Sequence, residues 1–329
     1  MKPDLDIGVV LPTRNSMPHI CTHIEALNQW IGRVKEVVVV DSQSDDGTVD
    51  YIREHLRYSN VVIIDHPPGL YQSWNAAICM VKSKYTYVAT VNDYMPIETL
   101  EELYHQAEQN TADIVISPPR IVSGGALREG YQWPVHSFME VSGMQHSYLL
   151  KPLELLVWNV VNLPGTMLGS SASNLYRTSF LHQNPFSHNF GHAGDSALAL
   201  GATLNARWLF VPHVTSDFWY HGMGGNTSGG TGRGVRSDLY ALASQQIEAI
   251  SGSLSGQELK VIKALSELTR LWSQKENAVA GYLSYRKGRV PWVFLPAAWK
   301  LRGIKNQGNR KISKQVDVVL QQLGDLYCY

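Results

Sequence analysis

The sequence predicts an α/β protein built on a doubly wound sheet, and two observations carry that prediction. Residues 36–48, EVVVVDSQSDDGT, run four valines into an aspartate and then a turn of small polar residues. Through residue 117, short apolar runs alternate with amphipathic stretches across brief polar connections. Such alternation is the pattern of strands joined by crossover helices. A strand with one solvated face would alternate apolar and polar residues. Residues 37–40 do not, so they are expected in a sheet covered on both sides. Asp41 then stands at the carboxyl end of its strand, the edge at which open α/β sheets bind ligands.

In chain order, residues 7–11 read as a first strand closed by Pro12, and residues 13–16 as a polar loop. Pro18 with Ile20, Ile24, Leu27 and Ile31 gives an amphipathic helix. After the valine strand, Asp45, Asp46 and Gly47 make a turn, and Val49, Ile52 and Leu56 begin the next helix. Residues 61–64 are a third strand, broken by residues 66–69; Leu70, Trp74, Ile78 and Val81 mark a helix face. Residues 85–91 are a fourth strand ending at Asn92, Asp93 and Tyr94. Pro96 opens a helix carrying Ile97, Leu100, Leu103 and Ala107, and residues 113–117 are a fifth strand.

Beyond Pro118 the regularity weakens. Residues 119–135 are rich in glycine and proline and read as a loop, residues 149–161 as a helix, and residues 168–176 as a strand returning to the sheet. Asp195 precedes a short helix at 197–204, and residues 208–211 are another strand. Residues 221–234, HGMGGNTSGGTGRG, are too glycine-rich for regular structure. From residue 237 the pattern is two or three helices, and there is no internal repeat.

Composition narrows the function classes. Lysine plus arginine and aspartate plus glutamate number 28 each in 329 residues, so charge balance gives no reason to expect nucleic acid. Cys21, Cys79 and Cys328 lack metal-ligand spacing and suggest a reducing compartment. The charged opening MKPDLD lacks a signal peptide's apolar core, and no apolar run is long enough to span a bilayer. The expectation is a cytoplasmic protein.

Three segments in fixed order, VVLPTRNSMPHICTHIEAL, EVVVVDSQSDDGTVDYI and GLYQSWNAAICMVKSKYTYVATVNDYMPIETLEEL, resemble the amino-terminal half of family 2 glycosyltransferases of the GT-A fold. The likeness continues more faintly through GHAGDSALALGATLNARWLFVP, similar to the family's acceptor-side acidic segment. It implies a GT-A, Rossmann-like mixed sheet flanked by helices. The implied division is a transferase domain over residues 1–236, with a nucleotide-sugar half (1–117) and an acceptor half (118–236), then a helical extension over 237–329. It further implies an inverting transferase, which moves a sugar from a nucleotide-diphosphate donor, expected to be a UDP-sugar, to a hydroxyl of a glycan or lipid-linked saccharide.

Inversion requires one in-line displacement, hence a base near the acceptor hydroxyl and charge stabilisation at the departing diphosphate. Asp195 matches the base position; the plainer reading is a helix cap. Asp41 matches the aspartate that accepts a hydrogen bond from the nucleotide base; the plainer reading is a carboxylate bonding its own turn. Pro12, Thr13, Arg14 and Asn15 match the loop bordering the nucleotide, with Arg14 where the family more often has an aromatic. Asn75 matches a polar family position.

The family's D-x-D or D-D pattern stands here as Thr90, Val91, Asn92, Asp93. Asn92 and Asp93 are expected at the donor, and Asp93, with His221, at a Mn²⁺ or Mg²⁺ ion. A lone histidine among aromatics is more often packed than ligating. The glycine-rich loop with Arg233 and Arg236 is placed to close over the diphosphate, or else is a plain connector. Trp133, Trp158 and Trp219 are candidates for stacking on a sugar ring, with core packing the better single-residue reading. Basic residues around Trp292, Phe294, Leu295 and Trp299 suit peripheral contact at a membrane's inner face, or packing on the domain.

Two rival classes remain at this level. A nucleotidyltransferase shares the sheet but should carry a glycine-rich basic loop after the first strand, and PTRNSMP has no glycine. A catalytically inactive glycan- or partner-binding protein is favoured by the reduced acidic motif. No G-x-G-x-x-G follows the first strand, which counts against an NAD-binding fold.

Overall fold

The computed structural model describes residues 4–128, 130, 132–220, 233–286 and 295–327. The amino-terminal part alternates as expected: β1 (Leu5–Thr13), α1 (His19–Asn28), β2 (Val34–Asp41), α2 (Thr48–His55), β3 (Val61–Asp65), α3 (Leu70–Ile78), β4 (Tyr85–Val88), α4 (Ile97–Asn110) and β5 (Ile114–Ile116). β1 pairs in parallel with β2 and β4, and β2 with β3. The valine run is covered on both faces. Val37 and Val39 join Ile7, Val9, Leu11 and Ile24 in one core. Val38 and Val40 join Val10, Tyr71 and Trp74 in the other.

The second half continues with β6 (Arg120–Ser123), β7 (Ala126–Leu127), α5 (Pro134–Ser142), β8 (Tyr148–Leu149), α6 (Pro152–Val161), β9 (Asn174–Arg177), α7 (Thr178–Gln183), α8 (Gly194–Ala202), β10 (Trp208–Phe210) and β11 (Asp217–Trp219). The eight-stranded sheet runs β3-β2-β1-β4-β9-β5-β10-β8. β9 is antiparallel to both β4 and β5, which makes the sheet mixed.

One expectation is corrected. Within residues 119–135, read as a loop, β6 and β7 form a hairpin turning through Gly124 and Gly125, both at positive φ. β6 also pairs with β11, with Arg120 opposite Asp217. These strands are too short to show a period-two pattern, and their partner lies far along the chain.

Three helices follow: α9 (Arg233–Ser251), α10 (Gly256–Arg286) and α11 (Leu295–Tyr327). Leu239 and Tyr240 of α9 and Leu265, Leu268 and Trp272 of α10 share one apolar cluster with Leu156 of α6 and Leu198 of α8. The domain division expected after residue 236 falls inside α9. No described helix is long and apolar enough to cross a membrane.

Candidate active site

The carboxyl ends of β1, β2 and β3 stop level with one another, Thr13 opposite Asp41 and Asp41 opposite Asp65. Beside this edge opens a cleft of about 600 Å³. Pro12, Thr13, Arg14 and Asn15 line it together with Ser42, so the loop expected at the nucleotide does border the cavity. The loop is held by short polar side chains. The Asn15 N–H donates to Ser44 Oγ (2.8 Å), and Asn15 Oδ1 accepts the Asp45 N–H (3.0 Å). Asn15 sits at φ 44°, a left-handed conformation that asparagine tolerates better than most residues.

Asp41 lies just behind this wall and is 4% exposed. Its Oδ1 accepts the hydroxyls of Thr13 (2.8 Å) and Ser44 (2.6 Å), and its Oδ2 accepts the Ser44 N–H (2.7 Å). The carboxylate therefore ties the loops after β1 and β2 together, the turn-bonding role weighed beside nucleotide contact.

The facing wall is built from the start of α3 and the segment before α8. Gly69, Leu70, Ser73 and Trp74 line the cleft from α3, and His192 from the other segment. Aromatic packing joins the two: Tyr71 stacks on Phe186 at 5.5 Å, and Trp74 meets Phe186 edge-on. Asn75 completes the joint. Its Nδ2 donates to the Phe186 carbonyl (2.8 Å) and its Oδ1 accepts the Phe186 N–H (3.0 Å), so both ends of the amide, expected at the donor, are committed to the main chain.

Asp195, in the first turn of α8, is half-buried beside this wall. Its Oδ1 accepts the Ser196 N–H (2.6 Å). Burial pushes its pKa above the ordinary carboxylate range, while hydrogen bonds from Ser196 and Tyr71 pull the other way. Burial likewise raises the Tyr71 phenol, which stays protonated and donates. Gly194 makes the approach possible: a Cβ there would lie 2.3 Å from the Ser187 carbonyl oxygen and 2.5 Å from the Tyr71 ring. Chemically, this is a carboxylate of raised basicity next to a cleft.

The turn after β4 does not fit a metal centre. Thr90 lines the cleft, but Asp93 is 7% exposed and turned into the protein. Its Oδ1 accepts the Trp219 N–H (2.8 Å) and its Oδ2 the Thr90 hydroxyl (2.5 Å). The void Asp93 borders, among His23, Trp30 and Tyr87, holds about 10 Å³. A magnesium-type ion keeps several waters and needs far more room. Burial raises the Asp93 pKa to about 7, which further disfavours the charged ligand form. The expected ligand role of Asp93 is corrected on these grounds, and Asp41, Asp93 and Asp195 do not converge on one cavity. Among the described residues, no three histidine, cysteine or acidic side chains gather where an ion could sit.

Asn92, at φ 78°, shapes the turn that sends Asp93 inward. His221 and residues 222–232 of the glycine-rich loop lie outside the described residues, as do Trp292 and Phe294. Trp158 is core, edge-on to Phe138 at 5.5 Å, and Trp133 packs on Phe218 at 4.6 Å. Reading the sequence missed Ser42, Ser73, Thr90 and His192 as cleft residues. Only His192 left a signal, the crowded GHAGD motif in which it stands three residues before Asp195.

Residues 8–168 match the model of the family described as glycosyl transferase family 2. Glycosyltransferase GlyG of Streptococcus pneumoniae serotype 4 is 26% identical over 113 residues, covering 33% of this chain and 38% of that relative. The chain thus spans well under half the length of that curated relative. Among solved structures, residues 1–349 of S. aureus TarS in complex with UDP-GlcNAc align with a TM-score of 0.63 at 18% identity, over 97% of this chain and 84% of that one. The mannosyltransferase PcManGT from Pyrobaculum calidifontis, in complex with GDP-Man and Mn²⁺, aligns with a TM-score of 0.51 at 17% identity, over 99% and 88%. The ordered motifs, the mixed sheet and these matches lead to one conclusion: residues 8–168 carry the glycosyl transferase family 2 pattern, and the chain folds like the GT-A-type transferases.

Proposed function

We propose that the protein moves a sugar from a nucleotide-diphosphate donor, a UDP-sugar, onto a hydroxyl of a glycan or lipid-linked saccharide, with inversion at the anomeric carbon. The observation that carries this reading is the cleft at the sheet's carboxyl edge, which has a half-buried carboxylate beside one wall and a polar loop forming the other. The complexes of similar structures with UDP-GlcNAc and GDP-Man support the donor class.

Asp195 accepts the proton of the acceptor hydroxyl as that oxygen attacks the anomeric carbon, and the nucleoside diphosphate leaves from the opposite side. Raised basicity suits the carboxylate to this task, and the Ser196 N–H, at 2.6 Å, keeps it aimed. Pro12, Thr13, Arg14 and Asn15 hold the nucleotide end. The acceptor is met at the inner face of a membrane, where the basic and aromatic stretch around Trp299 makes peripheral contact.

A panel of UDP- and GDP-sugars in a thermal-shift assay tests the reading. A true donor at a hundred times its Kd stabilises the fold by about 2.7 kcal/mol. No stabilisation by any nucleotide sugar would sink it. The loss of carboxylates at Thr90 and Asn92 favours a second reading, an inactive glycan-binding relative. A donor that binds but never releases nucleotide in the presence of saccharide acceptors would support that reading instead.

A further inference from the structure

We infer that this cleft takes and uses its donor without a divalent cation, meeting the diphosphate's charge with Arg14 and its oxygens with a ring N–H of His192. The inference rests on the nucleotide-sugar reading above. A cation bridging protein and diphosphate needs hard oxygen donors that are free to coordinate and in reach of the phosphates. Among the described residues no carboxylate lines this cleft, and four that stand near its edge are engaged elsewhere. Asp41 holds Thr13 and Ser44. Asp46 accepts the N–H and hydroxyl of Thr48 and the Met17 N–H. Asp93 faces Thr90 and Trp219, and Asp217 is paired twice with Arg120. At the turn after β4 the residue that lines the cleft is Thr90, whose neutral hydroxyl donates to Asp93.

Donors for phosphate oxygens are better supplied. Arg14 and His192 both line the cleft, and among the described residues neither enters an ion pair. A guanidinium offers phosphate oxygens paired donors in a fixed plane. α3 begins on the same wall with no acidic residue in its first turn. Its first N–H groups lack intrahelical acceptors and carry partial positive charge, which adds to the field of the Arg14 guanidinium.

The test uses the full chain with UDP and GDP as probes, titrated by thermal shift in EDTA and again in Mn²⁺. We expect one nucleotide to stabilise the protein equally in both media, and Arg14→Ala to weaken that nucleotide about tenfold or more in both. Transfer from the matching nucleotide sugar should persist in EDTA. Binding or transfer that vanishes in EDTA and returns with Mn²⁺ overturns the inference. Binding of neither nucleotide in either medium instead removes the donor reading itself. A double variant, Thr90→Asp with Asn92→Asp, puts carboxylates at the cleft edge, and Asp is tolerated at the left-handed φ of Asn92. It should acquire Mn²⁺-dependent tightening of about tenfold or more, whereas an unchanged response to Mn²⁺ would count against the inference. Its melting temperature without nucleotide reports whether it folds, and the parent's two titrations decide the matter if it does not.

Discussion

The two walls of the cleft are built by different physics. The wall after β1 and β2 is cross-linked by short polar side chains, Thr13, Asn15, Asp41 and Ser44, whose partners lie about thirty positions apart in adjoining parallel strands. The facing wall is a joint between α3 and the segment before α8, more than a hundred positions on. Aromatic stacking and a two-ended clamp on the Phe186 main chain hold it. On the proposed function, the first wall holds the nucleotide and the second carries the carboxylate that acts as base. Damage to the first should therefore appear in donor affinity, and damage to the second in turnover and stability.

The largest effect is expected from Asp195→Asn. It should lower transfer by about 10²–10⁴-fold while leaving nucleotide affinity in the thermal-shift assay unchanged. Equal losses of both would make the residue structural and erase the difference between the walls.

Glu154 marks what burial does to a carboxylate outside the candidate site. It is fully buried in α6, and desolvation lifts its pKa to about 7. An acid whose folded pKa exceeds its unfolded value holds its proton more tightly when folded. Stability should then be greatest below the ordinary glutamate pKa and fall by about 3 kcal/mol as pH rises to 7 and beyond. Glu154→Gln should flatten that part of the curve in denaturant titrations at stepped pH. An unchanged slope would assign it to other groups.

Asn75→Ala removes both bonds to Phe186 and leaves two main-chain groups unpaired, a loss of about 2 kcal/mol measured by denaturant. A loss of donor affinity without a loss of stability would instead return Asn75 to the nucleotide. The smallest effect is that of Tyr71→Phe. The Tyr71 hydroxyl donates to the His192 carbonyl (3.2 Å) and favours the ionised form of the nearby Asp195 carboxylate, so without it the acidic limb of the kcat/KM profile should move toward higher pH. A profile that keeps its position while the rate falls would leave Tyr71 only a packing role.

The fold was readable where its signal is local. Four valines with no polar break can only be a strand covered twice, and both cores contain them. The helix faces of α1, α3 and α4 showed their spacing, and the loop from Pro12 to Asn15 borders the cleft as the first strand's end implied. The β6–β7 hairpin escaped because its strands are two to four residues long and its partner β11 lies beyond α8.

The sequence by itself determined the order of strands and helices through β5, the sheet edge beside which the cleft opens, and the family pattern of residues 8–168, because these depend on periodicity and on short motifs. The direction in which each acidic side chain points was decided only in three dimensions. Asp41 ends β2 and Asp93 stands in the turn after β4, where the left-handed Asn92 and the amide of Trp219, 126 positions away, draw it inward. A carboxylate goes where its hydrogen-bond donors are, and those donors come from segments that the fold alone brings together.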